Sequence, residues 1–277
     1  MSARGTIVVT RPAAQAGALL ALLNERGFRT LLFPAIAIEP VADTAALAKT
    51  FRHLERYRLV VFVSPNAISH ALAHRAAPWP AALTIGVMGP GSVAALATAG
   101  IARPPYRIVS PRADANLAVP RYDSESLFDA LVRILPPHAW RGGRVLLVRG
   151  NGGRAWLAER LRTAGMEVEE IESYRRVRPQ PSQTERNAMR ALMDADAAGD
   201  AAPGASATFI VTSSEGLANL AELIAGVGPD QAAARAWLTC CALLVPHPRI
   251  AEKAREMGFS TISVSAPGDA RIAAALE

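Results

Sequence analysis

The sequence predicts an α/β fold made of two similar lobes, each a parallel sheet covered by helices. Three observations point there. Short apolar runs alternate with segments of helical period along nearly the whole chain, the mark of parallel strands buried on both faces. A three-block pattern then runs twice. IVVTRPAAQAGALLALLNERGFRTLLFPAIAI from Ile7 matches VLLVRGNGGRAWLAERLRTAGMEVEEIESYRR from Val145, which aligns Arg11 with Arg149 and Gly27 with Gly165. VVFVSPNAI matches FIVTSSEGL, and VMGPGSVAALATAGI matches VPHPRIAEKAREMGF. Finally, the strand-to-helix turns of the two halves share hydroxyl, glycine and arginine residues. The expected architecture is a flavodoxin/Rossmann-like pair of lobes from an internal duplication, joined by a two-stranded linker, with a ligand cleft between them.

The elements follow in order. Residues 6–10 (TIVVT) form a buried strand, and residues 13–26 a helix that stops at Gly27, where a C-cap belongs. LLFPAIAI reads as the next strand. Val60–Val63 is a strand, after which Ser64 caps a helix opened by Pro65. Thr84–Met88 is a strand, with Ser92 capping a helix that ends at Gly100. A short strand at 108–110 precedes a helix over Ser124–Leu135, capped by Ser124. The second half gives strands at 144–149, 167–172, 208–212, 242–246 and 261–265. Its helices are expected at 153–164, 184–194, 214–224 and 249–257, with a short terminal one. Residues 102–123, rich in Pro and Arg, and 193–207, rich in Ala, Gly and Asp, read as loops, the latter mobile.

With 277 residues, 51% of them hydrophobic, the chain can bury two cores. No apolar run reaches membrane-span length and no signal peptide opens the chain, so a cytoplasmic protein is expected without a membrane partner. The two cysteines, Cys240 and Cys241, are adjacent, which excludes a disulfide framework and reads as two small buried residues. The net charge is +6, carried almost wholly by arginine. A basic protein attracts a polyanion. The arginines are scattered and aromatics make up only 5%, which favours a small acidic ligand over nucleic acid.

In open parallel sheets, ligands bind beyond the C-terminal strand ends, at helix N-termini. That rule selects Thr10 and Arg11; Ser64 and Asn66; Gly89 and Ser92; Arg149 and Gly150; Ser213 and Ser214; and His247. Each turn offers backbone N–H groups to a carboxylate. Taken singly, Ser64, Ser92 and Ser214 are better explained as helix caps; as a set on equivalent ends of two repeats, the turns suit a polyanion site at least as well. GPGSVA at Gly89 fits a dinucleotide turn, but no acidic residue follows the next strand, so no nicotinamide or flavin is expected. His70 and His74 have metal-compatible spacing but no evident third ligand, and read as a solvated helix face. Tyr174 leaves the second repeat in IESYRR, where the first repeat has IAIEP; its ring either looks into the cleft or half-covers a strand.

The pieces VTRP, VFVSPNAI, VMGPGSVAAL, YDSESLFDAL, LLVRGNGGRAWLAERLRTAGMEVEEIESYRR, FIVTSSEGL and VPHPRIAEKAREMGF together resemble the uroporphyrinogen-III synthase family. The resemblance implies cyclisation of hydroxymethylbilane, a linear tetrapyrrole rich in carboxylates, with inversion of ring D, loss of water and no cofactor. It implies lobes exchanged between repeats: 1–36 plus 180–277, and 45–171, with linkers 37–44 and 172–179. Together with its position at the lobe exit, the resemblance places the Tyr174 hydroxyl in the cleft as the catalytic acid; a monomer is expected because the duplication already supplies two lobes. The HPR turn at His247 departs from the threonine-rich turn of some members. The competing reading is a two-lobed anion-binding or regulatory protein without chemistry.

Overall fold

The computed structural model describes residues 5–75, 77–111, 122–135, 140–198 and 204–277. The chain divides into two compact units, Met1–Ala37 with Val177–Glu277, and Ile38–Arg176.

The first unit holds a five-stranded sheet ordered β11-β10-β9-β1-β2. Its strands are β1 (Thr6–Val9), β2 (Thr30–Leu32), β9 (Ala207–Ile210), β10 (Ala242–Val245) and β11 (Ile262–Val264). All four registers are parallel. Alternation along each strand feeds both faces. Val8, Phe209, Leu243 and Val245 enter one core with α8 (Ser214–Ala225), α9 (Gln231–Cys240) and α10 (Pro248–Glu256). Ile7, Val9, Ile210 and Leu244 enter the opposite core with α1 (Ala13–Glu25) and α11 (Asp269–Ala274).

The second unit holds a six-stranded sheet ordered β3-β8-β7-β4-β5-β6. These strands are β3 (Ala37–Pro40), β4 (Leu59–Phe62), β5 (Thr84–Val87), β6 (Ile108–Val109), β7 (Arg144–Gly150) and β8 (Glu167–Val177). From β8 to β6 the registers are parallel. Val60, Phe62, Ile85 and Leu146 face the core beneath α2 (Ala45–Phe51), α3 (Pro65–Leu72) and α4 (Pro90–Thr98). Leu59, Val61, Val145 and Leu147 face α5 (Ser124–Ile134) and α6 (Trp156–Thr163).

Several expectations are corrected. LLFPAIAI is not one strand: it breaks after Leu32, before Pro34, and supplies β2 to the first sheet and β3 to the second. Gly89, not Ser92, occupies the N-cap of α4; Ser92 is the third helical residue and is buried. Asp123, not Ser124, caps α5, accepting the Ser126 N–H at 2.8 Å. The helix α7 runs over Gln183–Ala198, so much of the 193–207 stretch is helix or the start of β9, and 199–203 lie outside the described residues, as do 112–121. The helix α9 was not expected from periodicity; Asp230 starts it by accepting the Ala232 and Ala233 N–H groups. Of the cysteines only Cys241 is buried, while Cys240 is exposed. No helix among the described residues is long and apolar enough to cross a membrane.

Candidate functional site

In the second unit, parallel strands bring the ends of β4, β5 and β7 together with the far half of β8. A pocket of about 310 Å³ opens there, lined by Ser64, Tyr122, Arg149, Gly150, Arg154, Tyr174 and Arg176 among others. Each of these reaches it for a local reason.

Tyr174 depends on an irregularity. Arg149 pairs with Glu172, but Gly150 pairs with Tyr174, so Ser173 is an extra residue in β8. Such a bulge resets the alternation of side chains. Period two would put Ile171 and Tyr174 on opposite faces; the bulge returns Tyr174 to the core face on which Ile171 packs. The ring is 4% exposed. Its hydroxyl lies 3.1 Å from Ser64 Oγ. The ring covers the Gly150 backbone so closely that a Cβ there would stand 2.6 Å from Tyr174 Cζ.

Ser64 sits at the N-cap of α3 and accepts the Ala67 N–H at 3.1 Å. The same oxygen therefore fixes the helix start and holds the tyrosine hydroxyl. On that helix His70 stands with its ring centroid 5.9 Å from the Tyr174 ring, tilted by 31°. His70 is half-buried, and burial, then His74, hold its pKa below the ordinary value. This corrects the solvated-face expectation; His74 lies beyond the end of α3. Among the described residues no group of His, Cys, Asp or Glu is arranged to hold a metal ion. Asn66, in the first turn of α3, is half-buried. Gly89 leaves room for Tyr122, whose ring carbons would lie 3.0 Å from a Cβ at that position.

After β7, Gly152 and Gly153 adopt left-handed backbone, with φ of 67° and 90°. The tight turn brings Arg154 back to the strand end. Asn151 ties this turn to β8: its Oδ1 accepts the Arg176 N–H at 2.6 Å and its Nδ2 donates to the Arg176 carbonyl at 3.2 Å. Arg149 donates to Glu170 at 2.8 Å and to the Gly152 carbonyl. Partial burial pushes the Glu170 carboxyl up, but Arg149 and Arg162 outweigh it and hold the pKa below its ordinary value.

In the first unit the expected residues also sit at strand ends. Ser213 caps α8, accepting the Gly216 N–H at 3.0 Å, and Ser214 is the exposed first helical residue. His247 caps α10, its Nδ1 accepting the Arg249 N–H at 3.1 Å. Thr10 and Arg11 are already engaged. The Thr10 hydroxyl is buried and donates to the Ile210 carbonyl at 2.8 Å. Arg11 is ion-paired with Asp269 of α11 at 2.5 Å. Spacing alone missed Arg154, Arg176 and Tyr122. The run Gly-Asn-Gly-Gly before Arg154 was the available signal, since paired glycines mark a tight turn.

Comparison with known proteins identifies the family. A family model described as uroporphyrinogen-III synthase HemD matches residues 17–271. The chain is 29% identical over 267 residues to uroporphyrinogen-III synthase of Salmonella typhimurium, covering 95% of this chain and 96% of that one. It is 27% identical over 270 residues to the Escherichia coli enzyme of the same name, with the same coverage. Among solved structures, a uroporphyrinogen III synthase mutant from Thermus thermophilus aligns with a TM-score of 0.58 at 19% identity, covering 98% of this chain and 96% of that one. A uroporphyrinogen-III synthetase from Helicobacter pylori aligns at 0.54 and 12% identity, covering 95% and 94%. These structural likenesses carry the two-lobed α/β fold.

Proposed function

This chain belongs to the uroporphyrinogen-III synthase family, and from that premise we propose that Tyr174 is its proton donor, held in place by Ser64 and Gly150. The enzyme is a lyase that cyclises hydroxymethylbilane to uroporphyrinogen III, inverting ring D and releasing water. The observation that carries the residue assignment is the Tyr174–Ser64 hydroxyl pair at 3.1 Å, within a pocket lined by arginines.

In this scheme the pyrrole nitrogen's electrons expel the hydroxyl of the hydroxymethyl group. The Tyr174 hydroxyl donates its proton to that leaving oxygen, so water departs and an azafulvenium cation, its pyrrole N–H still in place, remains. The Ser64 hydroxyl then donates to the tyrosinate oxygen and steadies it. The substituted carbon of ring D attacks, the spiro intermediate fragments, and the ring recloses inverted. The proton lost as the last pyrrole regains aromaticity balances the one Tyr174 gave. No cofactor takes part in the scheme. The substrate closes without inversion on its own, so the greater part of the task is to hold a folded conformation. Asn66, Gly89 and Arg149 of the second unit supply anchors for its carboxylates, chiefly through backbone N–H groups; Thr10 and Ser92 do not, because their N–H groups already bond the Ile210 and Gly89 carbonyls. One chain suffices, acting in the cytoplasm without nucleic acid or membrane.

The deciding experiment is incubation with freshly made hydroxymethylbilane, followed by oxidation and separation of porphyrin isomers. Type III porphyrin is the expected product. Type I alone, at the rate of the enzyme-free control, would overturn the reading and favour an anion-binding protein without chemistry.

The hydroxyl turns are expected to act together. Ser64→Ala and Ser213→Ala should each lower kcat/KM about fivefold, equivalent to roughly 1 kcal/mol for one neutral hydrogen bond. Each also removes an N-cap, so the melting temperature should fall by an amount matching about 0.5–2 kcal/mol. Steady-state kinetics beside thermal unfolding check both. Abolition of type III product by Ser213→Ala with an intact melting temperature would make that serine a catalyst.

A further inference from the structure

Three arginines line the pocket of the second unit, and they are held differently. Arg149 is 15% exposed and bound on two sides, by Glu170 and by the Gly152 carbonyl. Glu170 is itself shared with Arg162 at 2.9 Å. Arg176 has its backbone clamped by Asn151, and its Nη2 donates to the Asn151 carbonyl at 3.2 Å. Both are fixed by neighbours in the β7–β8 ladder or in the turn that follows β7. Arg154 is not. It is 48% exposed, and both terminal nitrogens reach a single carboxylate, Glu125, at 2.5 and 3.4 Å. Glu125 comes from another element, the first turn of α5.

A guanidinium that holds one carboxylate with both terminal nitrogens has that edge of its fork filled. A second carboxylate seeking the same edge of Arg154 is therefore excluded. An ion pair this open to water is weak and readily exchanged. Glu125 also has somewhere to go, because an acidic side chain in the first turn of a helix is favoured by the N-terminal end of the dipole. Its neighbour Asp123 is committed to capping the Ser126 N–H.

We propose that Arg154 takes a carboxylate of the tetrapyrrole substrate, and that Glu125 occupies the place of that carboxylate in the free protein. Glu125 thus competes with substrate for one arginine, and the pair sets how tightly a polycarboxylate enters the pocket. The inference rests on the function proposed above and adds a binding residue to it. Partial burial raises the Glu125 pKa, but the hydrogen bonds to Arg154 outweigh it and keep the carboxyl below its ordinary range, so it is ionised and able to compete at neutral pH.

Steady-state kinetics of the full chain with hydroxymethylbilane test the exchange. Glu125→Gln should lower KM by about two- to fivefold, the worth of an exposed ion pair, with kcat nearly unchanged. Arg154→Ala should raise KM at least fivefold, as expected for loss of a charged hydrogen bond. Adding Glu125→Gln to Arg154→Ala should change KM no further, since the glutamate acts only through the arginine. An unchanged or raised KM for Glu125→Gln, or the same shift with and without Arg154, would overturn the proposal. Glu125→Asp keeps the charge at the helix end but shortens its reach; it should also lower KM, and it serves if the glutamine variant unfolds. Wild-type protein that makes no type III product would refute the assigned function instead, so the two failures are distinguishable.

Discussion

Tyr174→Phe is expected to lower kcat by roughly 10- to 100-fold, the range of a positioned general acid. The change keeps the ring, which is packed into the core beside Ile171 and over Gly150, and removes only the atom that meets Ser64. KM should move little, because the hydroxyl acts as the leaving group departs and not on the ground state. Stability should also change little, since one hydroxyl–hydroxyl bond is worth about 1 kcal/mol or less. Residual type III product should persist, because conformational control of the substrate remains. Single-turnover rates with isomer analysis measure this. Wild-type kcat and wild-type type III yield in the Phe variant would leave the enzyme without its assigned acid.

How far the sequence reached can be traced residue by residue. The strands at Thr6, Leu59, Thr84, Arg144, Ala207 and Ala242 were legible because each is an apolar run buried on both faces. The turn rule also brought Ser64, Gly89, Arg149 and Gly150 to one end of one sheet, which follows from parallel strands alone. What stayed hidden was partnership at long range. Nothing local shows that Asp269, 258 residues away, claims Arg11, or that the Ile210 carbonyl, 200 residues away, claims the Thr10 hydroxyl. The bulge at Ser173 was hidden too, since Glu-Ser-Tyr alternates normally on paper and gains its extra residue only when paired with β7. Internal repetition does not specify that β1 lies beside β9 or β7 beside β4; only the family resemblance implied lobes exchanged between the repeats. Arg154 escaped notice because a single arginine in an arginine-rich chain carries no signal until a turn aims it.

Gly150→Ala is expected to be more damaging than its single methyl group suggests. Gly150 has no left-handed backbone, so alanine is not strained by its own φ. The obstacle is the tyrosine opposite. A Cβ would stand 2.6, 2.7 and 3.0 Å from Tyr174 Cζ, Cε2 and Cε1, all atoms of a rigid ring. That ring has little freedom to retreat: it is buried, with the His70 ring at a centroid distance of 5.9 Å. Forcing a methyl group into such a site costs about 1–3 kcal/mol, to be seen as a lower melting temperature. The displaced hydroxyl also leaves Ser64, so kcat should fall at least tenfold, the least expected from losing a positioned acid. The two effects separate in the Gly150→Ala, Tyr174→Phe double variant. Its ring still clashes, so the stability loss should remain. Its hydroxyl is already gone, so kcat should equal that of Tyr174→Phe alone. A further kcat loss in the double variant would mean that Gly150 serves the reaction through its backbone and not by seating the tyrosine. A single Gly150→Ala variant with wild-type kcat and melting temperature would refute the seating itself.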